Sequence, residues 1–268
     1  MPETEPQWQP SMGAYRQVVR VMRPLQAYHR HHVAGMDHLP KHGRVLLVVH
    51  HTFATYDSFL LGLALTEFSG RVPRGLSDDL LFKTPLVRTF GRNIGLVPAS
   101  PGAARHLLEQ EQVVEVAPGG MWEALRGQRE RYQTRWERRR GFVRLALRTS
   151  TPLVLAACRT ADDLYTVYDN PFTREAYARW HLPFPLVRGL GPTLLPRPVR
   201  LTHHLAPPIT PPPHDPAHEA EQIEALFTTC QATMNRLLHT ADPGICVWRG
   251  PPAPPFATSS HSTPSASR

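Results

Sequence analysis

Cysteine is scarce in this chain, with only Cys158, Cys230 and Cys246 in 268 residues. Three scattered thiols cannot build a disulfide framework or a zinc site, and they are expected as buried apolar residues in a reducing compartment. Long hydrophobic runs are also missing. Stretches such as Val45–Val49 and Leu60–Leu65 fall far short of the roughly 18 residues that span a bilayer. The opening MPETEPQWQP is acidic and proline-rich, without the basic-then-apolar pattern of a signal peptide. There is no G-x-S-x-G elbow and no G-x-x-x-x-G-K-[ST] loop, so neither a serine hydrolase nor a P-loop nucleotidase is supported. Zinc-finger spacing and RNA-binding aromatic signatures are lacking too, and no nucleic-acid partner is expected.

What is present is a sizeable apolar fraction, 41%, with a formal net charge of +8. Apolar periodicity recurs from Val18 to Leu238, which excludes disorder over the whole chain. The positive balance suits an anionic membrane surface or a phosphorylated ligand, and charge alone does not choose between them. Proline is abundant, and eleven of the 29 lie between Pro183 and Pro216, a stretch expected to be mostly stiff loop. Tyr15, Val18, Val19 and Met22 recur at i, i+3, i+4 and i+7, the stripe of a helix, with Arg16, Arg20 and Arg23 on its flank. Such a helix either packs on the core with a solvated basic edge or lies in a membrane interface with its arginines toward anionic lipid. Pro24 should bend or end it.

Strands and helices then alternate. Val45–Val49, Ile94–Val97, Gln112–Ala117 and Pro152–Cys158 read as strands, and Ser58–Glu67, Ala103–Glu111 and Gly141–Arg148 as helices. Alternation of this kind predicts an α/β domain whose central sheet, largely parallel or mixed, is flanked by helices. Val199–Leu205 reads as a late edge strand. Asp215-Pro216 reads as the start of a helix that carries Ile223, Leu226, Phe227, Cys230, Met234 and Leu237 on one face. No repeat or linker divides the chain. The expected organisation is a disordered segment 1–10, one domain over 11–249 with its amphipathic helix at 11–30, and a disordered Pro/Ser-rich tail at 250–268.

Two strand ends are chemically loaded, and ligands of open α/β sheets sit at such ends. The first is Val49-His50-His51, with Asp57 at the mouth of the next helix. A carboxylate there could fold back on the imidazole of His51, fix its tautomer and leave the other nitrogen to take a proton from a hydroxyl. Alternation along the strand sends His50 and His51 to opposite faces, so one serves the site and the other packs. The second end is Ala117-Pro118-Gly119-Gly120, with Glu123 beyond it. The glycines either make a tight turn or let a substrate approach backbone N–H groups. Glu123 could position a polar substrate group or a basic side chain. Arg126, Arg129, Arg131, Arg135, Arg138, Arg139 and Arg140, interleaved with Tyr132 and Trp136, form either a solvated face or a surface for phosphates and lipid headgroups.

Taken in order, these blocks resemble the glycerolipid (lysophospholipid) acyltransferase superfamily. They are the lead-in Val33-Ala34-Gly35-Met36-Asp37-His38-Leu39-Pro40, the His51/Asp57 block, Phe90-Gly91-Arg92-Asn93-Ile94-Gly95, PGGxxEA, and Arg140-Gly141-Phe142-Val143-Arg144-Leu145-Ala146 with Thr151-Pro152-Leu153-Val154. The common family block is N-H-x-x-x-x-D. Here His50 stands at the Asn position and Asp57 lies six residues after His51, which is similar to the diacylglycerol-acyltransferase-like branch that includes phytyl ester synthases. The resemblance implies a glycerol-3-phosphate acyltransferase-like fold with His51 as general base and Asp57 as its partner. It also implies a substrate-binding set of Pro118, Gly119, Gly120, Glu123 and Arg140. It implies direct acyl transfer from acyl-CoA or an acyl carrier protein to a lipid hydroxyl, with no metal, cofactor or covalent intermediate. A peripheral position on the inner face of the cell membrane is expected from the Tyr15–Met22 stripe. Members that accept a phosphate carry a cation after the glycine of the second block, whereas this chain reads Gly95-Leu96-Val97-Pro98-Ala99-Ser100. A neutral acceptor such as diacylglycerol or a long-chain alcohol becomes more plausible, unless Arg88 or Arg92 substitutes in space. Three rivals stay open: an inactive lipid-binding member, a hydrolase using the same pair on water, and a basic nucleic-acid-binding protein.

Overall fold

Strand β2 (Val45–Val49) and strand β6 (Leu153–Ala157) are apolar throughout, and none of their ten residues is more than 2% exposed. Side chains buried on both faces mark the middle of a sheet covered on both sides. A computed structural model, which describes residues 10–168, 175, 186–240 and 247–248, shows this arrangement. Residues 1–9, Cys246 and the 250–268 tail lie outside the described residues, and so do the expectations made for them.

The remaining strands are β1 (His32–Ala34), β3 (Arg74–Ser77), β4 (Val97–Pro98), β5 (Val113–Val116), β7 (Thr166–Tyr168), β8 (Leu186–Arg188), β9 (Thr202–Leu205) and β10 (Val247–Trp248). Eight of the ten form one sheet in the order β10-β1-β9-β6-β2-β5-β3-β4, and β7 pairs with β8 in a separate antiparallel ribbon. The run from β6 to β4 is parallel, with Leu47 aligned to Val154 and Glu115, whereas β9 pairs antiparallel to β6 and β10 antiparallel to β1. The sheet is therefore mixed and mostly parallel.

Helices cover both faces. On one side α4 (Pro101–Glu109), α6 (Gly141–Arg148) and α7 (Glu219–His239) pack Leu107, Leu108, Val143, Leu147 and Phe227 on Leu46 and Val48. On the other, α2 (Tyr56–Ser69) packs Leu61, Ala64 and Leu65 on Leu47 and Val49. The alternation of Leu46 and Leu47 between the two cores is the two-residue period of a strand. The described residues also form helices α1 (Met12–Tyr28) and α3 (Pro85–Asn93) and the short α5 (Gly120–Ala124).

Several expectations need correction. Pro24 does not end α1, which runs on to Tyr28. Pro24 and Arg20 are exposed, so the carbonyl that the missing N–H would have served faces water. Val199–Leu205 is not an edge: its ordered part, β9, lies between β1 and β6. The segment 183–216 thus holds two strands, β8 and β9, among its prolines. Ile94–Val97 yields only the two-residue β4, because Gly95, at φ 96°, turns the chain after α3. Asp215 does not open α7. It accepts from Ala217 N and His218 Nδ1 in a turn that precedes the helix by one turn. Trp136 is fully buried edge-on to Phe142 and Phe227, so it belongs to the core and not to an interfacial segment. The stripe of α1 also packs inward: Tyr15 is buried and hydrogen-bonds Thr66 at 2.8 Å, and Arg23 pairs with Glu67 at 2.7 Å.

Candidate active site

The parallel strands β2 and β5 end side by side, and this brings the two loaded segments together. After Val49 the chain leaves the sheet, passes His50, His51 and Thr52, makes a 3-10 turn at Phe53–Thr55 and enters α2 through Thr55 in a left-handed conformation, φ 52°. This turn absorbs the six-residue step to Asp57, which sits in the first turn of α2 and is 2% exposed.

His51 is partly exposed, and its ring Nδ1 lies 3.0 Å from the carbonyl oxygen of Thr52. A carbonyl only accepts, so Nδ1 carries the hydrogen and Nε2 is left with its lone pair. Burial pulls the imidazole below its ordinary pKa of 6.5, against the Thr52 hydrogen bond and the Asp57 charge, which pull upward. At neutral pH the ring is an uncharged base. His50 points into the protein, 2% exposed. Its Nε2 donates to Gln133 O at 3.3 Å, its Nδ1 faces Arg126 Nη2 at 3.5 Å, and burial holds its pKa at about 3. It is the packing member of the pair.

Asp57 is close enough to influence His51 electrostatically, but the hydrogen bonds it accepts come from elsewhere. Thr52 Oγ1 donates to its Oδ1, and His203 Nε2 on β9 stands 3.2 Å from its Oδ2. The expectation that this carboxylate grips the His51 ring is therefore corrected: a backbone carbonyl holds the ring, and the carboxylate holds the residue that owns that carbonyl. Burial works against the charge on Asp57, but the His203 and Thr52 hydrogen bonds outweigh it and keep the pKa below the ordinary value.

Glu123, on the short helix α5 (Gly120–Ala124), does not line an acceptor surface. It has no exposed surface, and both oxygens are taken by backbone donors, Oε2 by His51 N at 3.2 Å and Oε1 by Arg135 N at 2.8 Å. It is a staple between two loops, and burial pushes its carboxyl up to about 7. The paired glycines serve this staple. A methyl group on Gly119 would stand 2.3 Å from the Glu123 side chain, and Gly120 adopts a left-handed φ of 53°. The Gly120 N–H is bonded to Ala117 O at 3.0 Å and the Gly119 carbonyl accepts from Arg139, while Pro118 is buried in the same turn. Arg140 is directed elsewhere. It makes a two-pronged pair with Glu224 of α7, at 2.9 and 3.0 Å, and lies 3.7 Å above the Phe227 ring. The assignment of Arg140 to substrate binding is corrected to a clasp between α6 and α7.

Arg126 completes the frame. Its Nη1 donates to the carbonyls of His51 and Glu123, and its other nitrogens meet the buried carboxylate of Asp162, which also accepts from Tyr132 N at 2.6 Å. Of the basic run, Arg131 pairs with Asp163 and Arg135 with Glu130, while Arg129 and Arg138 are exposed. The sequence does not single out Thr52, Asp162 or His203. The one hint is the His203-His204 pair in β9, where a buried polar side chain needs a partner. Among the described residues, no group of three His, Cys, Asp or Glu side chains is placed to hold a metal ion.

Comparison with known proteins bears on the family and the fold. Residues 30–159, which contain both strand ends and Glu123, match the Acyltransferase family model. The bovine protein described as "DGAT1/2-independent enzyme synthesizing storage lipids" is 26% identical over 223 residues, covering 81% of this chain and 62% of its own length. Its human counterpart, also 26% identical over 223 residues, is covered over 64% of its length against 81% of this chain. The chain thus spans about three fifths of the length of these curated relatives. The crystal structure of PlsC, the 1-acyl-sn-glycerophosphate (LPA) acyltransferase of Thermotoga maritima, superposes with a TM-score of 0.55 at 13% identity, over 85% of this chain and 81% of that one. At that identity the likeness is one of fold. Motif order, strand-end placement, family model and fold agree: residues 30–159 match the Acyltransferase family model, and the fold is the one seen in PlsC.

Proposed function

We propose that the chain transfers a fatty acyl group from a thioester donor, acyl-CoA or acyl carrier protein, to the hydroxyl of a lipid, with His51 as general base. The observation that carries this reading is the partly exposed His51 ring, whose Nδ1 is tied to a carbonyl and whose Nε2 is left as a lone pair. As the acceptor oxygen attacks the thioester carbonyl, Nε2 takes its proton. The thiolate departs when the tetrahedral intermediate collapses, and the imidazolium returns the proton to it. General-base assistance of this kind contributes about 10²- to 10⁴-fold in rate. Asp57, ionised within its hydrogen bonds, favours the imidazolium that forms.

The acceptor we assign is a neutral lipid alcohol such as diacylglycerol. Gly95–Ser100 carries no cation, Arg105 pairs with Glu109 on the exposed face of α4, and Arg88 is solvent-exposed on α3. The description of the bovine and human relatives as storage-lipid enzymes points the same way. No described helix is long and apolar enough to cross a membrane. Attachment to lipid we assign to the neighbouring helices α1 and α3, where Met12, Val21, Leu86 and Phe90 are each at least half exposed beside Arg16, Arg20 and Arg88.

Incubation with labelled acyl-CoA and, in turn, diacylglycerol, a fatty alcohol and lysophosphatidate tests the assignment. Labelled ester from the neutral acceptors supports it. Release of free acid alone makes the chain a hydrolase, and no turnover with any donor and acceptor makes it a binding protein. Co-flotation with anionic vesicles that is lost in the double variant V21D/F90D tests the docking helices, and undiminished flotation of that variant refutes them.

A further inference from the structure

A line of buried side chains runs from the end of α1 to the His51 loop. His31 Nε2 lies 2.9 Å from His203 Nδ1, His203 Nε2 lies 3.2 Å from Asp57 Oδ2, and Thr52 Oγ1 donates to Asp57 Oδ1. None of His31, His203, Asp57 or Thr52 is more than 5% exposed. The rings of His31 and His203 meet edge-on at 5.1 Å. Their location follows from the interior position of β9, which puts His203 in register with Val33 of β1, two residues after His31.

A carboxylate only accepts, so His203 Nε2 carries a hydrogen and donates it to Asp57. The other nitrogen of His203 is engaged by His31 Nε2. His31 Nδ1, at the far end of the line, is a buried atom without a hydrogen-bond partner. An unsatisfied buried polar atom is destabilising, and two apolar side chains would fill the same space without it. What the pair provides instead is a donor fixed in direction, aimed at Asp57. Asp57 in turn fixes Thr52, whose carbonyl orients His51.

We propose that His203, backed by His31, is a positioning residue for acyl transfer, holding His51 in its working orientation through Asp57 and Thr52. This rests on the reading of His51 as the base. His203 touches no reacting atom, so its loss lowers kcat and leaves KM unchanged. Removing the group that orients a ligating histidine costs about 10- to 100-fold, and a loss in that range is expected here.

The experiment compares H51A, H203L, H203Q and the double variant H31L/H203L by kcat, KM and Tm on the full chain. Glutamine places an amide N–H near the position of imidazole Nε2, so H203Q recovers most of the kcat lost in H203L. The double variant is no slower than H203L alone, because the two histidines act as one unit. Wild-type kcat in a folded H203L, or losses that multiply in the double variant, overturn the proposal. Should H203L fail to fold, H203Q and H203N decide: asparagine is too short to reach Asp57, and equal kcat in the two refutes the role. If H51A keeps wild-type kcat, it is the base assignment that falls. If H51A is inactive and H203L is not impaired, only this proposal falls.

Discussion

The most informative perturbation is Asp57→Asn. Where a carboxylate grips the catalytic imidazole directly, the amide imposes the wrong tautomer and costs about 10⁴-fold. Here the tautomer of His51 is set by the Thr52 carbonyl at 3.0 Å, which the substitution leaves in place. Two smaller effects remain. The first is the field of the charge. Asp57 acts on the ring without touching it, and at an effective dielectric of about 20 its pull on a full imidazolium is on the order of 2 kcal/mol. A half-formed imidazolium feels roughly half of that, a factor of about 5 in rate. The second is positional. The amide can satisfy only one of the Thr52 and His203 donors as an acceptor, and loosening Thr52 costs a comparable factor. The account therefore predicts a 10- to 100-fold fall in kcat for D57N, measured with labelled acyl-CoA and the preferred acceptor, with an unchanged circular dichroism spectrum. A loss near 10⁴-fold in a folded D57N protein would show that Asp57 grips His51 during turnover, and the account of the site would be wrong.

Further predictions follow from the frame around the site. Glu123→Gln turns a donor toward one of two backbone N–H groups, so kcat falls at least 10-fold as the His51 loop shifts. It also changes the pH dependence of stability. The folded carboxyl titrates at about 7 against an ordinary 4.5, so between those values the unfolded chain loses its proton first and wild-type stability declines as pH rises. Denaturant midpoints of E123Q across this range lack that share of the decline, and parallel curves would refute the assignment. Arg126→Ala strands the buried Asp162 carboxylate, with a loss of about 3–5 kcal/mol in urea unfolding expected, and a change below 1 kcal/mol would contradict the pairing. Arg74 is 1% exposed with its Nε and Nη2 unpartnered, so Arg74→Met should leave stability equal or raise it by about 1–4 kcal/mol, and a lower urea midpoint refutes this. Arg140→Ala should leave KM for the acyl donor unchanged, since that side chain is bound to Glu224 and Phe227, and a several-fold rise in KM would restore it to the binding site.

The parts of this fold legible in the sequence are those set by local pattern. β2 occupies Val45–Val49 and α6 occupies Gly141–Arg148, the ranges read from the sequence, because continuous apolar runs and 3.6-residue spacing leave little choice. The strand-end placement of His51 and the proximity of the PGG turn follow from parallel alternation. Less legible was anything settled across distance. β9 reads as an edge because three of its four residues, Thr202, His203 and His204, are polar, yet His203 points at a buried partner, Asp57, 146 residues away. Asp57 and His51 look like a hydrogen-bonded pair in sequence, but the turn at Phe53–Thr55 interposes Thr52. Glu123 and Arg140 read as substrate contacts because charged residues near a motif invite that reading, and nothing local reveals that Arg135 N or Glu224 has already claimed them. The sequence supplies charge and spacing, and the tertiary fold decides which charges are already paired.

The central claim is that a backbone carbonyl, not a carboxylate, sets the His51 tautomer and leaves Nε2 free to act as the base. Nitrogen NMR of the ¹⁵N-histidine-labelled protein at neutral pH, with His51 assigned by comparison with H51A, reads this directly. A protonated Nδ1 and a bare Nε2 are predicted, and a proton on Nε2 would contradict the account.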